Sequence, residues 1–235
     1  MSLDFDNRVA VVTGGSRGIG QRTAELLAER GARVAIFARS EKKLSAIAAA
    51  FGDRMLVVAG DVAIEQNIDR LFLETERRFG PCDLLVNNAG MIEAAPFIDV
   101  TAAQWDRMFN VNVRSAFLAS KRALPSMIAR KRGTIVNVAS ISGIPGPEKF
   151  PGFASYNASK AAIIAMTEAL AVEVREHGIR VNCVSPGSVD TEMWADASGG
   201  APASMTAEEV AETILFLSSG RSRPMNGQNI HVFSS

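Results

Sequence analysis

The residues best suited to move a proton lie in one stretch of the chain. Tyr156 and Lys160 stand four positions apart in a segment of helical pattern, so both side chains lie on one face of the helix. Free tyrosine has a pKa of about 10, and a nearby ammonium favours the phenolate and lowers that pKa. Reduction of a carbonyl by hydride leaves an alkoxide that needs such a positioned acid. Tyr156 is therefore a candidate proton donor, although this spacing is more often structural.

Ser140 is a third candidate because it follows a short apolar segment, at the carboxyl edge of an expected sheet. Its hydroxyl can bond a carbonyl oxygen and hold it beside Tyr156. A lone serine at such a place is usually a turn residue. The case for catalysis rests on Ser140, Tyr156 and Lys160 occurring together, downstream of a nucleotide loop.

That loop is a glycine-rich turn near the N-terminus. The first apolar segment runs into Thr13-Gly14-Gly15-Ser16-Arg17-Gly18-Ile19-Gly20 and then into a helical segment. Gly14 permits a tight turn, Gly18 lets the backbone approach a pyrophosphate, and Gly20 lets the helix pack on the strand. The phosphate charge would face the N–H groups of the helix N-terminus. The spacing differs from the general dinucleotide fingerprint, so the position after the first strand carries much of this interpretation.

The end of the second strand indicates which cofactor is preferred. An NAD-binding fold normally places an acid there to bond the ribose hydroxyls. Here the sequence reads Ala38-Arg39-Ser40, and Arg17 can reach the same place. Two guanidinium groups suit a 2′-phosphate, so we expect NADP(H) to be preferred over NAD(H). The alternative is that both arginines are solvated surface charges.

Two kinds of segment alternate along the chain and must position these residues. Short segments rich in Val and Ile are expected to be strands buried on both faces of a parallel sheet, namely Arg8–Thr13, Arg33–Ala38, Met55–Ala59, Asp83–Asn87, Gly133–Asn137, Arg180–Ser185 and Asn229–Phe233. Segments of helical period lie between them, namely Gly18–Arg30, Glu41–Phe51, Glu65–Phe79, Ala102–Arg130, Ser155–Glu176 and Ala207–Ser218. The alternation predicts a Rossmann-type α/β fold: a doubly wound parallel seven-stranded sheet with helices on both faces, in a single domain spanning residues 1–235.

Helix boundaries and loops are also marked. Thr101 and Thr206 each begin a capping-box pattern, and Ser40 can cap the helix at Glu41. Two irregular stretches, Gly143–Gly152 and Asp196–Pro202, follow strands, where open α/β sheets bind their ligands.

Charge and cysteine content exclude several function classes. The chain has 25 basic and 25 acidic residues, so no long-range field attracts nucleic acid or an anionic membrane. The cluster Arg130-Lys131-Arg132 is interpreted as a solvated helix end. Cys82 and Cys183 are expected to be free thiols, with no disulfide or metal site. No apolar run is long enough for a signal peptide or a membrane span, so we expect a cytoplasmic protein.

These motifs, taken in order, resemble the short-chain dehydrogenase/reductase family over essentially the whole chain. The matching residues are the loop Thr13 to Gly20, Asp61-Val62, Asn87-Asn88-Ala89-Gly90, Asn112, Ser140, Tyr156, Lys160, and Pro186-Gly187 followed by Thr191. The resemblance is to NADPH-dependent carbonyl and 3-oxoacyl reductases. It implies that a ketone and a secondary alcohol are interconverted by hydride transfer, with Tyr156 as general acid and base.

The resemblance also implies individual roles. Asn112, on sequence alone a polar interruption in a long helix, would hold a water that relays protons to Lys160, and Lys160 would also bond the nicotinamide ribose. Asp61 and Val62 would hold the adenine. The implied cofactor-binding residues are Gly14, Ser16, Arg17, Gly18, Ile19, Gly20, Arg39, Asp61, Val62, Asn88, Ala89, Gly90, Tyr156, Lys160, Pro186, Gly187, Val189 and Thr191.

Two departures from the family pattern affect the substrate side. The interval from Ser140 to Tyr156 is longer than usual, which leaves Ser142 as an alternative to Ser140. The segment from Glu192 to Met205 is short, which suggests an open pocket or one completed by another subunit. Residues expected at the rim are Ile141, Ile144, Phe150, Phe153, Met193 and Trp194, and their apolar character suggests a hydrophobic or aromatic ketone. Ser142 is a further candidate on the substrate side. Apolar loop residues also simply anchor loops.

Three functions remain open. The first is a reductase of small-molecule ketones, and the second is a 3-oxoacyl thioester reductase with a carrier-protein partner, for which Arg130–Arg132 would be the docking patch. The third is a non-catalytic nucleotide-sensing protein, disfavoured because a sensor has no need of Ser140, Tyr156, Lys160 and Asn112 together. The helices Ala102–Arg130 and Ser155–Glu176 resemble those that pair across subunits in family tetramers, which predicts a homotetramer or homodimer.

Overall fold

The computed structural model of the protein describes residues 5–146 and 149–233. Its strands are β1 (Val9–Thr13), β2 (Arg33–Ala38), β3 (Met55–Ala59), β4 (Leu84–Asn87), β5 (Gly133–Val138), β6 (Ile179–Pro186) and β7 (Asn229–Val232). All pair in parallel and form one sheet in the order β3-β2-β1-β4-β5-β6-β7. The predicted doubly wound sheet is confirmed, and the predicted strand bounds are within one residue of those observed.

Helices cover both faces of this sheet, as predicted. They are α1 (Gly18–Glu29), α2 (Glu41–Ala48), α3 (Glu65–Phe79), α4 (Ala102–Phe109), α5 (Ser115–Ala129), α6 (Ala154–Val174), α7 (Glu192–Ser198) and α8 (Ala207–Ser218). One core cluster lies under α1 and α8, and another lies under α3, α5 and α6. No helix in the described ranges is long and apolar enough to span a membrane.

The predicted helical segment Ala102–Arg130 is helical to Ala129, but its α-helical pattern is interrupted. The helices α4 and α5 are joined by a π-helical turn, Asn110–Arg114. A π turn inserts an extra residue into the helical ladder and is found mostly at functional sites. The polar residue that interrupts the pattern, Asn112, sits inside this turn.

The segment after β6 contains a helix where the sequence was interpreted as irregular from Asp196 onward. The Thr191 side chain accepts a hydrogen bond from the Trp194 N–H and caps α7, and Gly199 ends the helix in a left-handed conformation at φ +67°. Helix signals therefore existed at both ends. The helix itself is hard to recognise in the sequence, because seven residues are too few to show a helical period.

The predicted caps are confirmed at three helices. Thr101 and Thr206 form capping boxes with Gln104 and Glu209, and Ser40 accepts a hydrogen bond from the Lys43 N–H. These caps fix the residues at which α2, α4 and α8 begin. The middle of the predicted loop Gly143–Gly152, residues 147–148, lies outside the described residues.

The basic cluster at the end of α5 is not a freely solvated helix end. The Arg130 guanidinium binds the Asp83 carboxylate and the Cys82 carbonyl oxygen, and Arg132 lies 3.1 Å from the same carboxylate. Asp83 is buried and also accepts a hydrogen bond from the Val9 N–H. These cations stabilise the amino end of β4, at the edge of the sheet opposite the strand ends that bind ligands.

Candidate active site

A cleft of about 1280 Å³ lies over the carboxyl ends of the strands. It includes the place where the strand order reverses, between β1 and β4, which is where open α/β sheets bind ligands. Most of the sequence-predicted residues line it, namely Gly14, Ser16, Arg17, Gly18, Ile19, Arg39, Asp61, Val62, Asn88, Ala89, Gly90, Ser140, Tyr156, Lys160, Pro186, Thr191 and Met193. The structure thus brings the glycine loop and the catalytic candidates into one site.

The glycine loop fits closely against the turn after β4. Gly14 has a φ of +69°, and a Cβ there would lie 2.8 Å from the Ala89 Cα. Asn88 Nδ2 donates hydrogen bonds to the carbonyl oxygens of Thr13 and Gly14. A Cβ on Gly20 would overlap Asn88 Nδ2 and the Gly14 carbonyl oxygen. The absence of a side chain at Gly20 therefore lets α1 lie close to Gly14 and Asn88, at the ends of β1 and β4.

The N-terminus of α1 opens into the cleft and suits an anion. Arg17 is its N-cap but provides no side-chain hydrogen bond, so the first N–H groups of the helix have no side-chain cap. Free N–H groups and the positive end of the helix dipole together bind phosphate. A Cβ on Gly18 would lie 3.0 Å from Thr191 Cγ2, so the chain after β6 closes on this loop. The loop and the cleft volume fit a nicotinamide dinucleotide.

The end of the cleft beside β2 and α2 is basic. Arg39 is exposed and makes no hydrogen bond or ion pair with any residue in the described ranges. Arg17 Nη1 lies 2.7 Å from Glu192 Oε2, and Lys43 Nζ lies 3.5 Å from Glu192 Oε1. Lys43 also lines the cleft. Neither Lys43 nor Glu192 was singled out from the sequence, although Lys43 lies in the first turn of the helix that Ser40 caps.

Asp61 and Val62 lie at the carboxyl end of β3, in a turn held by its own hydrogen bonds. The Asp61 N–H donates to Asn67 Oδ1, and Asp61 Oδ1 accepts from the Ala63 N–H, both at 2.9 Å. Both residues line the cleft. The turn leaves them at the same end as Arg39.

The catalytic candidates come from two elements that meet at the sheet edge. Ser140 follows β5, and Tyr156 and Lys160 share one face of α6. The Ser140 side chain lies close enough to the Tyr156 phenol to act on its pKa. Lys160 Nζ donates to the Val138 carbonyl oxygen at 2.9 Å and lies 5.7 Å from the centre of the Tyr156 ring. Ser142 does not line the cleft, and its N–H donates to Ser140 Oγ at 3.2 Å. The geometry therefore favours Ser140 over Ser142.

Burial dominates the proton affinities of this pair. It raises the pKa of Tyr156, and the Ser140 side chain opposes that rise. Burial also lowers the pKa of Lys160 to about 8, against the opposing effect of the Cys183 thiol. The expectation that Lys160 lowers the pKa of Tyr156 is therefore wrong for this structure. The ammonium is directed to the Val138 carbonyl, and the loss of water around the phenol has the larger effect.

Asn112 lies close to Lys160, with Gly90 between them. Its side chain is buried, accepts from the Met91 N–H at 2.7 Å, and donates to the Met91 carbonyl and to Ser159 Oγ. A Cβ on Gly90 would lie 3.5 Å from both Asn112 Oδ1 and Lys160 Nζ. The absence of a side chain at Gly90 thus leaves a gap between the two polar groups.

An aromatic row leads to Tyr156, although its other three rings, those of the predicted rim residues Phe150, Phe153 and Trp194, do not line the cleft themselves. Ring centres lie 6.3 Å apart between Trp194 and Phe150, 5.7 Å between Phe150 and Phe153, and 6.2 Å between Phe153 and Tyr156. Phe150 is 55% exposed, whereas Phe153 is buried. Met193, on α7, lines the cleft directly. Apolar rings therefore lead from the surface to the phenol.

Three predicted cofactor residues do not line the cleft, namely Gly20, Gly187 and Val189. Gly187 donates its N–H to the Val232 carbonyl, and a Cβ there would lie 3.1 Å from Phe233 Cβ. Val189 is buried and bridges to Met205. Gly187 and Val189 support the segment that carries Thr191, because they fix the end of β6 against its neighbours. Any direct contact with cofactor remains a prediction.

Residues 8–200 match the short chain dehydrogenase family. The protein belongs to this family. The match runs from the first strand through the glycine loop and the Tyr156–Lys160 pair to the end of α7.

Its relatives within the family are enzymes, or proteins described as oxidoreductases. A hydroxy(phenyl)methyl-succinyl-CoA dehydrogenase subunit, BbsD, from Thauera aromatica is 35% identical, over 98% of this chain and 96% of that protein. An uncharacterized oxidoreductase of Staphylococcus saprophyticus is 34% identical, over 91% and 92%. The crystal structure of levodione reductase superposes with a TM-score of 0.90 at 29% identity, covering 97% of both chains. The protein is thus an oxidoreductase of CH–OH and C=O groups.

Proposed function

We propose that the protein is an NADP(H)-dependent oxidoreductase that interconverts a ketone and a secondary alcohol, with Tyr156 as general acid and base. The observation that carries this proposal is the partly buried Tyr156 side chain, beside Ser140 and Lys160, at the edge of the cleft that the glycine loop enters. When bound, the nicotinamide supplies or accepts the hydride. The protein's own residues orient the carbonyl and move the proton.

In reduction, Ser140 and Tyr156 bond the ketone oxygen from one side of the cleft. Because burial raises the pKa of Tyr156, the phenol keeps its proton at neutral pH and can deliver it to the developing alkoxide. The phenolate left behind lies beside the Lys160 ammonium, whose pKa of about 8 leaves it charged at neutral pH. Asn112 and the gap at Gly90 provide a polar route by which Lys160 can be reprotonated.

Substitution of the phenol tests this role directly. Tyr156→Phe keeps the ring and its packing against Phe153, and removes the hydroxyl group that carries the proton. Turnover should fall by about 100-fold or more, the usual contribution of a general acid. NADPH binding, measured by fluorescence titration, should persist. Because Tyr156 is the only tyrosine, no other phenol can substitute. Full activity in this variant would refute the proposal.

The preference for NADP(H) rests on the basic end of the cleft beside β2 and α2. Arg17, Arg39 and Lys43 meet there and would surround a 2′-phosphate. The test is kcat/KM with NADPH and with NADH. A tenfold preference for NADH, about 1.4 kcal/mol of transition-state stabilisation, would overturn this part of the proposal.

The aromatic row favours a hydrophobic or aromatic ketone as substrate. The name of the Thauera aromatica relative describes a phenyl-bearing alcohol that is also a coenzyme A thioester. That name supports an aryl substrate, and it also keeps the acyl-thioester reductase as a second candidate. Arg130 and Arg132 no longer support a carrier-protein patch, because they bind Asp83. Parallel assays with aryl ketones and 3-oxoacyl-CoA thioesters distinguish the two.

A non-catalytic sensor is the remaining alternative, and turnover of any substrate in those assays excludes it.

Assembly as a homotetramer or homodimer is also proposed. Its support is exposed apolar side chains on α5 and α6, with Phe117 49% and Val172 63% exposed. Sedimentation of the purified protein tests it, and a monomer at micromolar concentration would contradict it.

A further inference from the structure

The first residue of α7 is joined to the basic end of the cleft. Glu192 bonds Arg17 of the glycine loop at 2.7 Å and lies 3.5 Å from Lys43 Nζ on α2. The bond from Arg17 is the main cause of a lowered pKa at Glu192, so this carboxylate is charged at neutral pH. All three side chains are about half exposed to solvent.

This carboxylate faces the cations that would bind a 2′-phosphate. Arg17, Arg39 and Lys43 line one end of the cleft, and Glu192 engages two of them. A phosphate and a carboxylate at contact distance from one guanidinium repel each other, because both are anions. Arg39, in contrast, has no partner in the described part of the chain. It can receive the phosphate without displacing another group.

We propose that Glu192 is a specificity-determining residue that competes with the 2′-phosphate of NADP(H) for Arg17 and Lys43. This proposal rests on the proposed NADP(H) preference and names Glu192 as the residue that reduces the size of that preference. Exposed ion pairs are worth little, so the phosphate displaces Glu192 at small cost. Glu192 nevertheless weakens binding of the phosphorylated cofactor and leaves the unphosphorylated one unaffected.

The test uses two ligands that differ only in the 2′-phosphate, 2′,5′-ADP and 5′-AMP, titrated by calorimetry. E192Q should bind 2′,5′-ADP about twofold to fivefold more tightly than the natural chain, the range expected from an exposed ion pair. Its affinity for 5′-AMP should not change. Asp196→Asn is the matched control, because it removes the same charge from an exposed position of the same helix, where the carboxylate forms no ion pair with Arg17 or Lys43. That control should alter neither affinity.

A double-mutant cycle assigns the effect to Arg17. The gain from E192Q should shrink when Arg17 is already replaced by Ala, because the two residues act on each other. If the natural chain binds 2′,5′-ADP no better than 5′-AMP, the NADP(H) preference itself is wrong. If it does prefer 2′,5′-ADP, three results overturn the role of Glu192: no change in E192Q, an equal change for both ligands, or the same gain in both backgrounds.

Discussion

The proton affinity of Tyr156 can be measured directly, because it is the only tyrosine in the chain. Tyrosinate absorbs at longer wavelength than tyrosine, and the two tryptophans do not ionise in water. A pH titration of the near-ultraviolet absorbance therefore reports one residue. Burial raises the pKa of Tyr156 above its ordinary value, so we expect no phenolate in the cofactor-free protein until the pH exceeds about 10.

The magnitude follows from the position of that pKa. With a pKa above about 10, fewer than about one phenol in a thousand is ionised at pH 7, and each further unit costs about 1.4 kcal/mol. Ser140→Ala removes the interaction that opposes the rise in the pKa of Tyr156. In that variant the pKa of Tyr156 should therefore be higher still. Tyr156→Phe provides the blank.

Unfolding must be followed by circular dichroism in the same samples. A phenol whose folded pKa lies above the unfolded value stabilises the protein at lower pH. That stability is lost as pH rises through the folded pKa. Phenolate should therefore appear together with the loss of helical signal, or after pH 10 in folded protein. Ionisation of folded protein below pH 9 would show that Lys160 dominates and that the argument from burial is wrong.

Three further predictions concern other groups. Because the pKa of Lys160 is about 8, ketone reduction should fall about tenfold per pH unit above that value; kcat/KM that stays level to pH 9.5 would contradict this. Asp83→Asn should lower the free energy of unfolding by about 3 kcal/mol, since it removes a buried carboxylate that binds Arg130 and Arg132. By calorimetry the melting temperature should drop by about 6–12 °C, whereas Asp53→Asn at an exposed pair should change it little. Gly20→Ala should weaken NADPH binding because its Cβ overlaps Asn88, and Gly220→Ala, which has open space, should not; equal NADPH affinity in both variants would show that the loop can yield.

The sheet could be predicted from sequence because its strands are buried on both faces. Continuous Val and Ile runs are incompatible with a surface strand, so β1 and β5 are evident without knowledge of their neighbours. The caps at Thr101 and Thr206 were predictable for a similar reason, since the side chain bonds a backbone group three residues away. Features that depend on neighbouring residues, such as helix caps and runs of buried residues, can be predicted from the sequence.

The pKa of Tyr156 could not be predicted from the sequence, because it depends on how the folded chain buries the phenol. Helical spacing correctly placed Lys160 on the same face as the phenol, but spacing gives no information about solvent. The ammonium donates to the Val138 carbonyl, and the Phe153 ring packs edge-on to the phenol and helps exclude water. The effect of burial on the pKa of Tyr156 then exceeds the opposing attraction between the phenolate and the Lys160 ammonium. A pair that looks like an activated phenolate in sequence is, in this structure, a protonated acid.

Glu192 was missed for the opposite reason, because its partner is remote in sequence but its own surroundings look ordinary. An acid in the first turn of a helix is common and favourable, so nothing in the segment around Glu192 points to the glycine loop. Only the parallel order of β1 and β6 brings Thr191 against Gly18, and with it Glu192 against Arg17. The two arginines predicted to bind a 2′-phosphate are therefore not equivalent. Arg39 is available, whereas Arg17 must first release a carboxylate, so Arg39→Ala should cost more NADPH affinity than Arg17→Ala.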